Sequence, residues 1–367
     1  MAKLRAKGVH RLLLDVLKNW LGERSAVVVV DGAKSSSAPL NNSVYQGTVL
    51  GPPLCNCFYE NARRAVILHG FLETIFADDL NAYKALAQQT SDEGIELQLR
   101  ECQRSLHEWG QANQVCFDAS KESFHILDRR NPSGGNFRML GVTFDPKLVM
   151  DAACHEIAGQ AHSRLRSLLR SKKFFSEENL FRHYKSQVLS YVEFATPVVH
   201  HAPGFFLSQI DRVQDAFLEE LGVSAGRALA DFNLAPLSTR RDIAMLGLLY
   251  RIVHGSAPPQ FHELVRRTAA TGFPRCLRRP SLQHSLQLLD PIDGTTSKMM
   301  ERSVLGLIYT WNMLPERVVA SASVALFQRR LQNGVKKASA EGVAEWESVL
   351  RCGVRSLNLL RYQELFC

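Results

Sequence analysis

The sequence has no apolar run approaching eighteen residues, so no segment reads as a membrane span and no membrane partner is expected. Its eight cysteines include no CxxC pair, and no apolar leader precedes them, which argues against a disulfide scaffold and against a zinc ribbon. Cys55 and Cys57 stand too close for the usual zinc-knuckle spacing and are expected to be reduced core thiols. From about residue 225 onward there is no internal repeat and no phosphate-binding loop. The expected compartment is intracellular, where the sequon Asn41-Asn42-Ser43 would be idle. What is present is 367 residues, 46% of them hydrophobic, enough for two or three domains with cores. Lys and Arg number 44 against 36 Asp and Glu, and the resulting +8 fits a polyanionic partner.

Phe76-Ala77-Asp78-Asp79 lies between Ile75 and Leu80-Asn81-Ala82-Tyr83, two acids between short apolar runs. That pattern predicts a tight β-hairpin with the acids at its tip, since neighbouring strand residues point to opposite faces and a tip lets both approach one site. Paired carboxylates suit Mg²⁺, which takes oxygen ligands and shares them with substrate phosphates. A solvated turn is the ordinary alternative. About thirty residues upstream stands Gln46-Gly47-Thr48-Val49-Leu50-Gly51-Pro52-Pro53-Leu54, a glycine-rich loop before an apolar segment that can form a helix.

This loop, followed at that distance by Phe-Ala-Asp-Asp, resembles the reverse transcriptases of non-LTR (LINE-type) retrotransposons. The resemblance implies an RNA-directed DNA polymerase that takes an RNA template, a DNA primer and deoxynucleoside triphosphates. It implies Asp78 and Asp79 as catalytic metal ligands, and Gln46 and Gly47 at the template or nucleotide. Lys121 would lie near the triphosphate, where a mobile ammonium meets the leaving pyrophosphate, and Leu140-Gly141 near the primer end. The implied fold class is α+β: a partial palm (a small antiparallel sheet packed on helices) over residues 1–148, a mainly helical thumb over 149–262, and a helical C-terminal region over 263–367.

Along the chain, Val9, Leu12, Leu13, Val16, Leu17, Trp20 and Leu21 predict an amphipathic helix over 9–21. Val27–Val30 reads as a buried strand ending at the Asp31-Gly32 turn. Leu54, Phe58 and Tyr59 open the helix after the glycine loop, continued by Ala62, Ala65, Val66 and Leu68. Thr90-x-x-Glu93 reads as a capping box for a core-facing helix through Ile95, Leu99, Cys102, Leu106 and Trp109. Phe137 to Phe144 reads as one strand entering the Asp145-Pro146 turn. The strands are expected to share one small sheet backed by the helices 9–21 and 91–109. Beyond residue 150 helical periodicity dominates. Arg164, Arg166, Arg170, Lys172 and Lys173 crowd one helix and its end, a face suited to a phosphate backbone, or simply solvated. His200-His201 reads as two loop histidines rather than a metal pair.

The resembled family carries a first catalytic aspartate on a strand ahead of the helix that here spans 9–21, and Asp15 is the only acid before Glu23 and Asp31. Two divalent ions repel unless carboxylates bridge them. The chain is therefore expected to hold at most one Mg²⁺ and to be inactive alone, a fragment lacking the fingers and first aspartate. A non-catalytic nucleic-acid-binding remnant using the basic helices is the alternative, and a truncated gene model a third.

Overall fold

Hairpins and helices alternate through the first third of the chain in the computed structural model, and helices carry nearly all the rest. The structure describes residues 1–22, 24–40, 47–77, 79–87, 89–268, 284–292, 297–351, 357 and 359–366. They form an α+β chain that divides into two units, Met1–Phe124 and His125–Cys367. The division falls ahead of the residue-148 boundary expected from the sequence, because a later hairpin packs with the helices that follow it. Among the described residues no helix is long and apolar enough to cross a membrane.

In the first unit, α1 (Ala2–Ala6) and α2 (Arg11–Leu21) precede a ribbon of β1 (Ser25–Ala26), β2 (Val29–Val30), β3 (Ala33–Lys34) and β4 (Ala38–Pro39). α2 starts two residues later than its apolar pattern, at a cap where the His10 side chain accepts from the Leu12 N–H. It buries Leu14 and Leu17 and leaves Leu12, Leu13 and Val16 exposed, so the buried stripe is not the one the pattern suggested. The valine run is corrected too: Val27 to Val30 are 46 to 66% exposed, not buried.

α3 (Gly51–Ile67) begins with prolines in its first turn, where a missing N–H costs nothing. It buries Ala62 and Val66; Leu68, expected to continue it, lies beyond its end and is exposed. β5 (Leu72–Phe76) and β6 (Asp79–Tyr83) follow as a five-pair hairpin, and α4 (Asp92–Ala112) packs against α3. The cap of α4 is Ser91, whose Oγ accepts from the Gly94 N–H at 3.2 Å, one residue after the expected Thr90. Val66, Phe71 and Cys102 form the small core here, with Leu80, Leu99 and Leu106 against it. Lys84, next to β6, ties the hairpin to α4 and to the turn after α3: its Nζ donates to Gln98 Oε1 at 2.8 Å and to the His69 carbonyl at 3.0 Å.

The second unit opens on β7 (Phe137–Met139) and β8 (Val142–Phe144). The expected single strand is thus a hairpin. Leu140 and Gly141 both have positive φ, +48° and +84°, and reverse the chain as a primed two-residue turn does. Phe137 stacks on Phe144 across the ladder at 5.4 Å. The described strands make four separate two-stranded ladders, not the one shared sheet that was expected.

Helices then build two cores. α5 (Asp151–Arg170), α6 (Glu177–Tyr184), a π turn over Lys185–Leu189, α7 (Ser190–Phe194), α8 (Thr196–Val199) and α9 (Gly204–Leu221) surround Ile157, Leu165, Phe181, Tyr184, Val213 and Phe217. α10 (Ala225–Phe232) leads to α11 (Leu237–Val253). With α12 (Lys298–Arg302), α13 (Ile308–Met313), α14 (Glu316–Val319), α15 (Val324–Ala340) and α16 (Leu359–Phe366), α11 encloses the second core around Leu246, Trp311, Phe327 and Tyr362.

Candidate functional site

The β5–β6 hairpin closes at the Phe76–Asp79 pair, and Ala77 takes φ +54° to begin the two-residue turn. Asp78, the other expected metal ligand, lies outside the described residues, as does Gln46. Pairing divides the hairpin into two faces. Glu73, Ile75 and Leu80 turn toward the helices, where Arg63 meets Glu73 at 2.8 Å and Leu80 joins the small core. Leu72, Thr74, Phe76, Asp79, Asn81 and Tyr83 share the other face, which is open: Phe76 is 62% exposed and Asp79 is exposed. Asp79, Thr74 and Asn81 bring side-chain oxygen atoms to that face. Among the described residues no three His, Cys, Asp or Glu side chains gather as a metal cluster.

Gly47 occupies a turn with φ +81°, and a Cβ added there would meet nothing within 4 Å. Its need for glycine is thus conformational. Lys121 ends a turn in which Asp118 Oδ1 accepts from the Ser120 hydroxyl and N–H; those bonds hold the Asp118 carboxyl below its usual range. The Lys121 ammonium is 3.9 Å from Asp118 and its side chain is 83% exposed, a mobile charge. No hydrogen bond or ion pair among the described residues links Asp79 to Gly47 or Lys121. Leu140 and Gly141 form the exposed β7–β8 turn, where Arg138 donates to the Gly141 carbonyl at 3.3 Å.

The basic residues of α5 divide by partner. Ala153, Ile157, Ala161, Leu165 and Leu168 face the core, and this turns Arg166 and Arg170, one helical turn apart, to solvent. Neither has a hydrogen-bond or ion-pair partner among the described residues. Arg164 lies over the Tyr191 ring at 4.1 Å and donates to the Gln187 carbonyl at 3.1 Å. Lys172 is paired with Glu220, and Lys173 lies over Phe174 at 5.0 Å. Arg166 and Arg170 are therefore free to meet a phosphate, and the other three are already engaged.

No family model, curated protein or solved structure matches the chain. The geometry therefore carries the functional argument.

One constellation went unread in the sequence. Asp211 on α9 accepts both Nη atoms of Arg241 at 2.6 and 2.8 Å; the neighbouring Asp242 accepts from Arg351 at 2.7 to 2.9 Å. Arg351 Nη2 stands 3.3 Å from His200 Nε2. His200 and His201 lie in a turn between helices, as expected, but His200 is buried there and His201 reaches the Leu148 carbonyl at 3.1 Å. Burial pushes the His200 pKa down to about 3, and Arg351, Arg241 and His201 push the same way. Arg240-Arg241 was visible as charge, but its acidic partners lie 30 and more residues away, and no local spacing marks them. The neutral His200 ring and the two guanidinium–carboxylate pairs tie α9, α11 and Arg351 together.

Proposed function

We infer that this chain is part of an RNA-directed DNA polymerase of the non-LTR retrotransposon type. The single observation that supports this reading is the β5–β6 hairpin, whose tip follows a proline-started helix and presents Asp79 on an open face. Its substrates would be deoxynucleoside triphosphates and a DNA primer on an RNA template. In the reaction the primer 3′-hydroxyl forms a bond to the α-phosphorus, and the α–β bridging oxygen leaves with pyrophosphate. Asp78 and Asp79 would hold Mg²⁺, which when bound offsets the charge gathering on the phosphoryl oxygens. Gly47, with Gln46, would keep the backbone clear for the template or nucleotide. Lys121, exposed and mobile, would meet the departing pyrophosphate.

Two adjacent acids hold one such ion; a second ion, in line with it, needs another carboxylate. The chain alone should therefore give no primer extension with Mg²⁺ on a primed RNA template. Fused to a segment that supplies that carboxylate on a strand, it should extend. Asp78→Asn in the fusion should abolish extension, because the amide keeps the shape and loses the charge; Asp79→Asn should be milder. Extension by the fusion that survives Asp78→Asn would remove the acid pair from the site.

The solvent-facing Arg166 and Arg170 favour a second reading, a chain that binds nucleic acid without polymerising. Binding to single strands should then weaken with salt at a log–log slope of about −0.7 per phosphate contacted. Arg166→Glu with Arg170→Glu should flatten that slope, and an unchanged slope would remove α5 from the interface.

A further inference from the structure

The ribbon over residues 24–40 has two unlike edges. On one, Lys34 and Pro39 flank Ser35–Ser37, where three residues span what two residues span on the opposite strand. Ser35 Oγ accepts from the Val28 N–H at 3.0 Å and fixes this bulge. Lysine, proline and a bulge are the devices that keep an edge from pairing. The other edge, Ser25 to Val30, has none of them. Arg24 and Val28 give their carbonyls inward, to the N–H groups of Leu40 and Ser35. By strand alternation Ser25, Val27 and Val29 point N–H and C=O outward. Every residue from Ser25 to Pro39 is exposed, and an isolated two-stranded ribbon is marginal in water.

The geometry points to this edge as a self-pairing surface whose occupant is the same edge of a second copy of the chain, antiparallel about a two-fold axis. A two-fold axis perpendicular to a sheet puts one residue opposite itself, and Val28 on the axis is the register that sets the valines against one another while pairing the outward groups of Val27 and Val29. Val27 and Val29 then exchange N–H···O bonds with Val29 and Val27 of the second copy. Valines stand opposite valines, with no like charges facing. The same register brings Arg24 of each copy to the end where the Asp31 turn of the other lies, so the ends attract. A partner with charged or bulky strand residues would lose both features. The pairing is closed by symmetry and cannot propagate. Its area falls well below the roughly 1,200 Å² of a stable interface, so the association is weak and depends on concentration.

Sedimentation equilibrium of the whole chain should show the mass rising above the 41.2 kDa monomer as concentration increases. Val29→Pro removes one outward N–H and spares the inner ladder, and should abolish that rise; Leu13→Lys, on the exposed side of α2, should not. In a Cys116→Ser background with added diamide, Val28→Cys should cross-link at least tenfold faster than Lys34→Cys on the guarded edge. Circular dichroism of each variant at low concentration checks that the fold is kept. A monomer at every concentration would overturn the proposal. So would association that Leu13→Lys removes and Val29→Pro leaves, or equal cross-linking from the two cysteines.

Discussion

Val27–Val30 and the run Leu246–Tyr250 both lack charge, yet the first stands in water on a two-stranded ribbon and the second is nearly all buried within α11. The contrast extends to the units that hold them. The first centres on Val66, Phe71 and Cys102, whereas the second has two cores that each enclose more than twenty buried residues. A strand buries a face only when a second layer covers it, and the ribbon has none among the described residues. α11 brings its own layers, because helices on both sides present matching stripes. Apolar composition therefore sets how much could be buried, and neighbouring layers set how much is.

The largest effect expected from this contrast is in the second core. Trp311→Ala removes a fully buried ring that lies 5.6 Å from Phe327 and donates to the Leu286 carbonyl. It should cost about 5 kcal/mol in urea unfolding, the upper part of the range for large aromatic truncations. Phe71→Ala in the first unit should cost about 3 kcal/mol, since fewer buried neighbours surround the void and the site can collapse. Equal losses at the two positions would break the comparison.

His200 supplies a pH test confined to the second unit. Its ordinary value is 6.5 and burial holds it down to about 3 in the fold. Between those values the unfolded chain takes up a proton that the native state does not, so stability falls as pH drops through 6.5 toward 3. By pH 5 the loss from this one group is about 2 kcal/mol. His200→Gln should remove that part of the slope, read as the difference between variant and parent at pH 7 and pH 5. An unchanged slope would mean that His200 is not buried as a neutral ring.

The smallest effect sharpens the contrast from the other side. Val28→Thr on the exposed ribbon should change stability by less than about 0.5 kcal/mol, measured at low protein concentration. Amide hydrogens of residues 25–39 should exchange far faster than those of α11, whose backbone bonds lie inside the cores. Slow exchange across the ribbon in a dilute sample would show a covering layer and end the comparison.

Parts of this were legible in the residues. The acid hairpin follows from two short apolar runs that meet at a turn, a pairing that closes over a few residues. α4 was visible by its three-and-four periodicity. Its start missed by one residue because Thr90 and Ser91 can both cap, and the fold uses Ser91. The β7–β8 hairpin was hidden because leucine rarely takes positive φ, so Leu140-Gly141 does not advertise a turn.

Local chemistry by itself determined Asp79 at the end of a hairpin, the helices beyond residue 150 and the basic character of α5, since each rests on periods or turn residues within one element. Tertiary structure alone decided which arginines stay free. Tyr191 and Gln187 reach α5 from elsewhere in the chain and take Arg164, and Glu220 takes Lys172 just past its end, leaving Arg166 and Arg170 to solvent. It alone decided that His200 is buried and neutral against Arg351, 151 residues away, and that the valine run has no cover. Burial and pairing depend on what folds back from a distance, and no spacing within a segment encodes the identity of a partner so remote.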